Sequence, residues 1–349
     1  MSDTKQLLLS HFQQHPEMTI QDAIKFLHQS YMGPGHLITD KTAAMDRLKA
    51  EWASLPDRSP TDMGTPIGNG LFRLNLNHCK AIKLSTKTMF SMFYETSKQW
   101  KPDSRMLDDN LDLIYSLPFP MEQIKQTLQA YRQSGMPMVS HSEQYRNHYS
   151  PAYRIVRQEY INLLPILRSI DLLLKEQSFV RVAIDGPCAS GKSTLGQMLS
   201  QLYQCPLISM DDFFLRPEQR SKARLSEPGG NVDYQRFDQE VLVPLCQHTE
   251  FSYRPWSCHL QAFSTPRKIP VSPLTIVEGS YSLRPDLRDR YHLRIWVEAT
   301  PEIRQERLLK RDGPEMLERF RSVWIPLENH YFSSCCVKEC CHLIWNGNN

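Results

Sequence analysis

Residues 186–194 read GPCASGKST, and their reading decides the fold, because Gly186, Gly191, Lys192 and Ser193 occupy the fixed places of the spacing G-x-x-x-x-G-K-[ST]. Glycines let the main chain turn tightly enough for successive N–H groups to point inward at phosphate oxygens. The whole run of Gly186, Pro187, Cys188, Ala189, Ser190, Gly191, Lys192, Ser193 and Thr194 is therefore the expected cradle for a nucleotide triphosphate. Lys192 reaches the β- and γ-phosphates, and the Ser193 hydroxyl is placed to ligate Mg²⁺. A helix starting at Lys192 adds its positive N-terminal end. Chance alone would supply such a match about once in a hundred chains of this length.

Working outward, residues 179–185 (FVRVAID) form a short apolar, β-branched run, as a buried parallel strand requires. Residues 192–202 follow with Leu195, Met198, Leu199 and Leu202 on one helical face. Strand, glycine loop and helix is the context that gives the motif its meaning. Further strands are expected at 205–210, 274–278, 293–297 and 342–345, with helices at 234–246, 301–311 and 314–330 between them. The alternation predicts an α/β P-loop NTPase unit with a mostly parallel five-stranded sheet over residues 177–349. Before residue 177 the periodicity is mainly helical. Ile20, Ala23, Ile24, Leu27 and Tyr31 recur at helical spacing behind a capped start at Thr19, and GPG at 33–35 ends the run. A helix opens at Asp40, and others are expected over 80–98, 121–133 and 152–175. Residues 1–176 are read as a mainly α-helical domain.

The 349 residues carry a formal net charge of +3, 23% charged and 40% hydrophobic side chains. That charge is too small, and its basic residues too scattered, to imply a nucleic-acid partner. No apolar run reaches the roughly 18 residues of a membrane helix. No signal peptide is evident, and nine irregularly spaced cysteines do not resemble a secreted disulfide framework. The expectation is a cytoplasmic protein with free thiols, no nucleic-acid or membrane partner, and a small-molecule substrate, with a homo-oligomer left open.

Three further pieces lie where strands run out into loops, the place where open parallel sheets bind ligands. ISMDDFF at 208–214 puts Asp211 and Asp212 at one strand end, where a carboxylate can hold Mg²⁺ or accept a proton from an attacking hydroxyl; capping the next turn is the plainer use of such residues. IVEGS at 276–280 offers Glu278 as a second metal ligand or an ordinary strand end. Arg304, Arg307 and Arg311 fall on one helix face. They can close over a triphosphate and neutralise transition-state charge, or form a solvated basic face pairing with Glu302, Glu306 and Glu315.

GPCASGKST, SMDDFF, GGNVDYQRFDQEVLVPL, the YRPW stretch at 253–256, VEGSY and RQERLLKRD occur in the order found in the uridine kinase, phosphoribulokinase and pantothenate kinase group, which residues 177–349 resemble. FRSVWIPLENHYF at 320–332 resembles bacterial uridine-kinase-like proteins in particular. The resemblance implies an ATP-dependent kinase in which Asp211 takes the proton of the acceptor hydroxyl. It places Ser193, Asp211 and Glu278 around Mg²⁺, and Asp233, Tyr253 and Arg254 at the acceptor. Lys192, Arg307 and Arg311 would then be catalytic, the arginines in a mobile lid, with Arg304 beside the nucleotide. Uridine kinases place a His five residues after the matching Tyr; here that place is Cys258, and an insertion at 260–266 also alters the region.

Cys188 lies beside backbone N–H groups and Lys192, a setting that favours thiolate and redox control, although a small loop filler is the ordinary reading. The pairs Cys335-Cys336 and Cys340-Cys341 invite zinc but lack the C-x-x-C knuckle. In the first half, GPGH at 33–36 with Asp40, PIGNG at 66–70 with Arg73, and SHSEQYR at 140–146 running into Tyr153 and Arg154 stand out. With His36, His141, Arg146 and Arg154 they either line an anion pocket or serve as turns, caps and buried hydrogen bonds. The functional expectation is phosphoryl transfer from ATP, with Mg²⁺, to a small metabolite hydroxyl. Its rival is a nucleotide-dependent switch, which the sixty or so residues between the second and third strands disfavour because they can build an acceptor pocket.

Overall fold

The computed structural model describes residues 3–35, 38, 40–57 and 62–348, with the side chain of residue 3 left aside. The chain forms two compact units, Met1–Arg168 and Ser169–Asn349.

In the first unit, helices α1 (Asp3–Gln14), α2 (Ile20–Met32), α3 (Lys41–Ser54), α4 (Thr86–Gln99) and α5 (Met121–Gln133) account for most of the ordered backbone. The α2 start is a capping box, in which the Thr19 N–H donates to Asp22 Oδ2 at 3.0 Å. Asp40 caps α3 by accepting the Ala43 N–H. Leu8, Phe26, Leu27, Ile114, Ile124 and Tyr145 meet in one apolar cluster.

The helical reading missed an antiparallel sheet, β1 (Gly64–Gly68), β2 (Leu71–Asn75) and β3 (Tyr153–Arg157), in that spatial order. The reason is burial on both faces. Four consecutive residues of β2, Leu71 to Leu74, are buried, so no period of two shows in the sequence. β3 falls inside the helix expected over 152–175; the helix proper, α6, covers only Leu164–Glu176.

The second unit has five parallel strands: β4 (Val180–Asp185), β5 (Leu207–Ser209), β6 (Leu274–Glu278), β7 (Leu293–Glu298) and β8 (Leu343–Asn346). Their order in space is β8-β7-β4-β6-β5. β4 and β6 are almost wholly buried, which explains their uninterrupted apolar sequences. Helix α7 (Lys192–Tyr203) follows β4. The expected break between helices at 301–311 and 314–330 is present: Gly313, at φ 81° and ψ 174°, is non-helical and divides α8 (Pro301–Arg319) into two helical segments, after which come a π-helical turn over Phe320–Trp324 and α9 (Ile325–Cys335). Two short ribbons, Phe251–Tyr253 with Arg267–Ile269 and Trp256–Ser257 with Ala262–Phe263, occupy the region between β5 and β6 in sequence.

Ile184 on β4 is fully buried and registered against both Glu278 of β6 and Ile295 of β7. Ile184→Ala is expected to cost about 2–5 kcal/mol through lost burial and the cavity left behind. Urea unfolding followed by circular dichroism measures this, and an unmoved midpoint would contradict the central placement of β4.

Candidate active site

β4 ends at Asp185, whose carboxylate is inaccessible to water. It accepts the Gly186 N–H at 2.6 Å, the Leu283 N–H at 3.0 Å and the Tyr331 hydroxyl at 2.8 Å. Burial raises its pKa to about 6 against the pull of those donors. The chain then turns with Gly186 at φ 145°, where a Cβ would stand 2.2 Å from the Val297 carbonyl oxygen. Gly191, at φ 108°, is the residue before α7. Lys192 is buried and its Nζ donates to the Pro187 carbonyl at 3.0 Å. Ser190 Oγ is buried and has no hydrogen-bond partner among the described residues. An uncommitted hydroxyl inside such a loop suits an oxygen-rich ligand.

On the far side of α7's first turn, Ser193 Oγ donates to Glu278 Oε2 at 3.0 Å, and Ser209 Oγ to Glu278 Oε1 at 2.8 Å. Asp211 sits in a 3₁₀ turn after β5, reaches solvent, and has no hydrogen-bond partner among the described residues. The surrounding protein, then the Glu278 carboxylate, push its pKa up to about 6. Neither Asp211 nor Asp212 caps that turn. Asp212 instead accepts the Tyr253 hydroxyl at 2.8 Å and Arg267 Nη1 at 2.7 Å. Ser193, Asp211 and Glu278 supply a hydroxyl and two carboxylates, the hard oxygen donors that suit Mg²⁺, which completes its shell with water and substrate phosphates. Among the described residues no three His, Cys, Asp or Glu side chains are grouped to hold a metal unaided.

Among the described residues the arginine stripe does not pair with Glu302, Glu306 or Glu315. Arg304 Nε donates to the Cys188 carbonyl at 2.8 Å, and Arg307 Nη1 to the Ala189 carbonyl at 3.2 Å. Arg311 pairs with its neighbour Asp312 at 2.8 Å. Of the residues expected at the acceptor, Asp233 is buried, caps the following turn through the Arg236 N–H and accepts Gln219 Nε2 at 2.7 Å. Tyr253 is buried against Asp212, while exposed Arg254 donates to the Ser264 and Phe263 carbonyls.

Sequence reasoning passed over Glu328 of α9. It is buried, accepts the Cys188 N–H at 2.9 Å and the Ser280 hydroxyl at 2.8 Å, and lies 3.8 Å from Arg304. Glu328 and Tyr331 sit three apart on one face of α9, so both reach the loop or its anchoring acid; that spacing in LENHY was the available signal. The thiolate reading of Cys188 is overturned. Burial, then the Glu328 charge, push its thiol up to about 11, and Arg304 only partly offsets them. The other cysteines are also free thiols, and Cys340 and Cys341 both donate to the Val337 carbonyl.

Residues 188–251 match the family model for shikimate kinase. A bifunctional shikimate kinase/3-dehydroquinate synthase of Thermotoga maritima is 24% identical over 157 residues, covering 44% of this chain and 27% of the relative. The chain thus spans about a quarter of the length of that curated relative. Among solved structures, a possible uridine kinase from Bacillus stearothermophilus is 17% identical, covering 52% of this chain and 99% of its own, with a TM-score of 0.38. Shikimate kinase from Aquifex aeolicus is 16% identical, covering 49% and 88%, with a TM-score of 0.28. The matched family is therefore shikimate kinase where the motifs resemble the uridine kinase group. The sheet order and the loop after β4 give the second unit the fold of P-loop small-molecule kinases. Among the described residues no helix is long and apolar enough to cross a membrane.

A thiol pKa near 11 makes Cys188 slow to alkylate at neutral pH, with a thiolate fraction about a hundredfold below that of an unperturbed cysteine. Iodoacetamide labelling followed by peptide mass spectrometry should modify exposed Cys336 first. Glu328→Gln should speed labelling of Cys188 by removing the opposing charge; equal rates at both sites in the unaltered protein would refute the assignment.

Proposed function

We propose that the second unit is a kinase that moves the γ-phosphoryl group of ATP to a hydroxyl of a small metabolite. The observation that carries this reading is Asp211: an unpaired carboxylate that reaches solvent, on the strand end beside Glu278, in the same unit as the phosphate loop. A kinase needs a base for the attacking hydroxyl, and the roughly sixty residues between β5 and β6 can build the acceptor pocket that a switch does not require.

In this mechanism the loop N–H groups and the Ser190 hydroxyl bind the phosphates. Lys192 exchanges the Pro187 carbonyl for phosphate oxygens. Asp211 accepts the acceptor's hydroxyl proton as the new O–P bond forms, and the bond from γ-phosphorus to the bridging oxygen breaks to release ADP. Ser193 and Glu278, with Asp211 nearby, would hold Mg²⁺, which when bound would supply charge neutralisation on the phosphates. Positioning and electrostatics carry nearly all the rate enhancement in such a transfer.

For the acceptor, the match of residues 188–251 to shikimate kinase favours a small polyhydroxylated acid of the shikimate type. Cys258 at the place of the uridine kinase His argues against uridine. Arg267, which pairs with Asp212 next to Asp211 in sequence, is a cation that could meet the carboxylate of such an acceptor.

ATP turnover with shikimate, uridine, pantothenate and sugars in parallel tests the reading. One acceptor, shikimate or a close relative, should raise turnover far above the basal rate. Steady hydrolysis indifferent to every acceptor would favour a switch. Asp211→Asn should lower transfer by roughly 10²–10⁴-fold while ATP still binds; near-normal transfer would remove Asp211 from the role of base.

A further inference from the structure

The first unit buries an arginine that forms no ion pair among the described residues. Arg73 on β2 is 3% exposed. Its Nε donates to Gln29 Oε1 at 2.8 Å and its Nη1 to His11 Nε2 at 3.1 Å. The Phe26 and Tyr153 rings stand 5.1 and 5.0 Å from the guanidinium carbon. Nη2 is buried and has no hydrogen-bond partner among the described residues.

His11 repeats the pattern. Its Nε2 accepts from Arg73, so the proton lies on Nδ1, which is likewise buried and unpartnered. Burial and the Arg73 charge keep this imidazole neutral.

No carboxylate among the described residues hydrogen-bonds to Arg73, although the Asp22 charge is felt in the same cluster. Asp22, the buried acid of the same region, is saturated by Thr19, His141 and Ser142. His36, expected from the sequence to belong to this region, lies outside the described residues; His141 is committed to Asp22 and to the Tyr153 hydroxyl. Lys25 adds positive charge rather than removing it, and burial followed by the Arg73 field lowers its pKa to about 8. Arg146 donates to the His141 carbonyl, and Arg154 pairs with Glu51. Part of the expected pocket is thus an internal hydrogen-bond network, and the arginine group left without an acceptor among the described residues is Arg73 Nη2.

A guanidinium removed from water needs a counter-charge, and a buried donor without a partner needs an acceptor. A water molecule supplies the second need and not the first; an oxyanion supplies both.

We propose that the first unit holds a small oxyanion, the carboxylate or phosphate group of a metabolite, on the Nη2 donors of Arg73. The His11 Nδ1–H is the second uncommitted donor of the same cluster. This site is independent of phosphoryl transfer by the second unit, and would make the first unit a ligand-binding module.

The test uses the full-length chain with Lys192→Ala, so that phosphate bound by the loop does not mask the result. Calorimetric titration with inorganic phosphate, and in parallel with acetate, should give saturable one-site binding of at least one probe. Arg73→Gln in that background should weaken it tenfold or more. No saturable binding of either probe, or binding indifferent to Arg73→Gln, overturns the proposal. Should Arg73→Gln fail to fold, crystals of the unaltered chain grown with selenate decide: an anomalous peak within hydrogen-bond distance of Nη2 supports the site, and a water molecule alone there overturns it.

Discussion

A loop that turns its N–H groups toward a ligand turns its carbonyls outward, and every outward carbonyl in a buried setting needs a donor. The second unit is arranged around that constraint. The Gly186 carbonyl accepts Ser280 Oγ, the Pro187 carbonyl Lys192 Nζ, the Cys188 carbonyl Arg304 Nε and the Ala189 carbonyl Arg307 Nη1. Two N–H groups at the loop's entry are held from the opposite side, Gly186 by Asp185 and Cys188 by Glu328. Strand β4, helix α8 and helix α9 therefore meet at four consecutive residues, Gly186 to Ala189. Their relative placement is fixed by hydrogen bonds to main chain as much as by apolar contact.

This explains which parts of the second unit could be read from residues and which could not. The strand, loop and helix over 180–203 carry local signals: an apolar run, glycines at fixed places and a helical stripe. Asp211 and Glu278 stood out because one follows β5 and the other ends β6, and strand ends face the ligand side of a parallel sheet. Glu328 was not, since it lies 140 residues from Cys188 and its role exists only once α9 docks. Asp233 and Tyr253 show the opposite failing. Their motifs are recognisable, but burial commits one to a cap and the other to Asp212, so sequence alone overstated how free they are.

The first unit was less legible for a different reason. Its helices announce themselves through amphipathic spacing, and α5 is found at the expected bounds, Met121–Gln133. Its sheet does not, because Leu71, Phe72, Arg73 and Leu74 are all buried and Arg73 interrupts the only apolar run. A charged residue in such a run normally marks the solvent face of a strand. Here it marks a polar cluster inside the unit, and only the fold distinguishes the two.

The same carbonyl constraint divides labour among the three arginines that share one face of α8. Arg304 and Arg307 answer loop carbonyls, so moving either toward a triphosphate would leave a buried acceptor without its donor. Arg304 also faces Glu328 at 3.8 Å, a contact that would be lost as well. Arg311 is tied to Asp312, its neighbour in sequence, by an exposed pair of the kind that contributes little, and its guanidinium stands 5.9 Å from the Phe320 ring. Gly313 follows two residues later with a backbone conformation outside the helix. Of the three, Arg311 can reorient toward developing charge without unmaking the loop, whereas Arg304 and Arg307 hold the loop in the shape that binds phosphate.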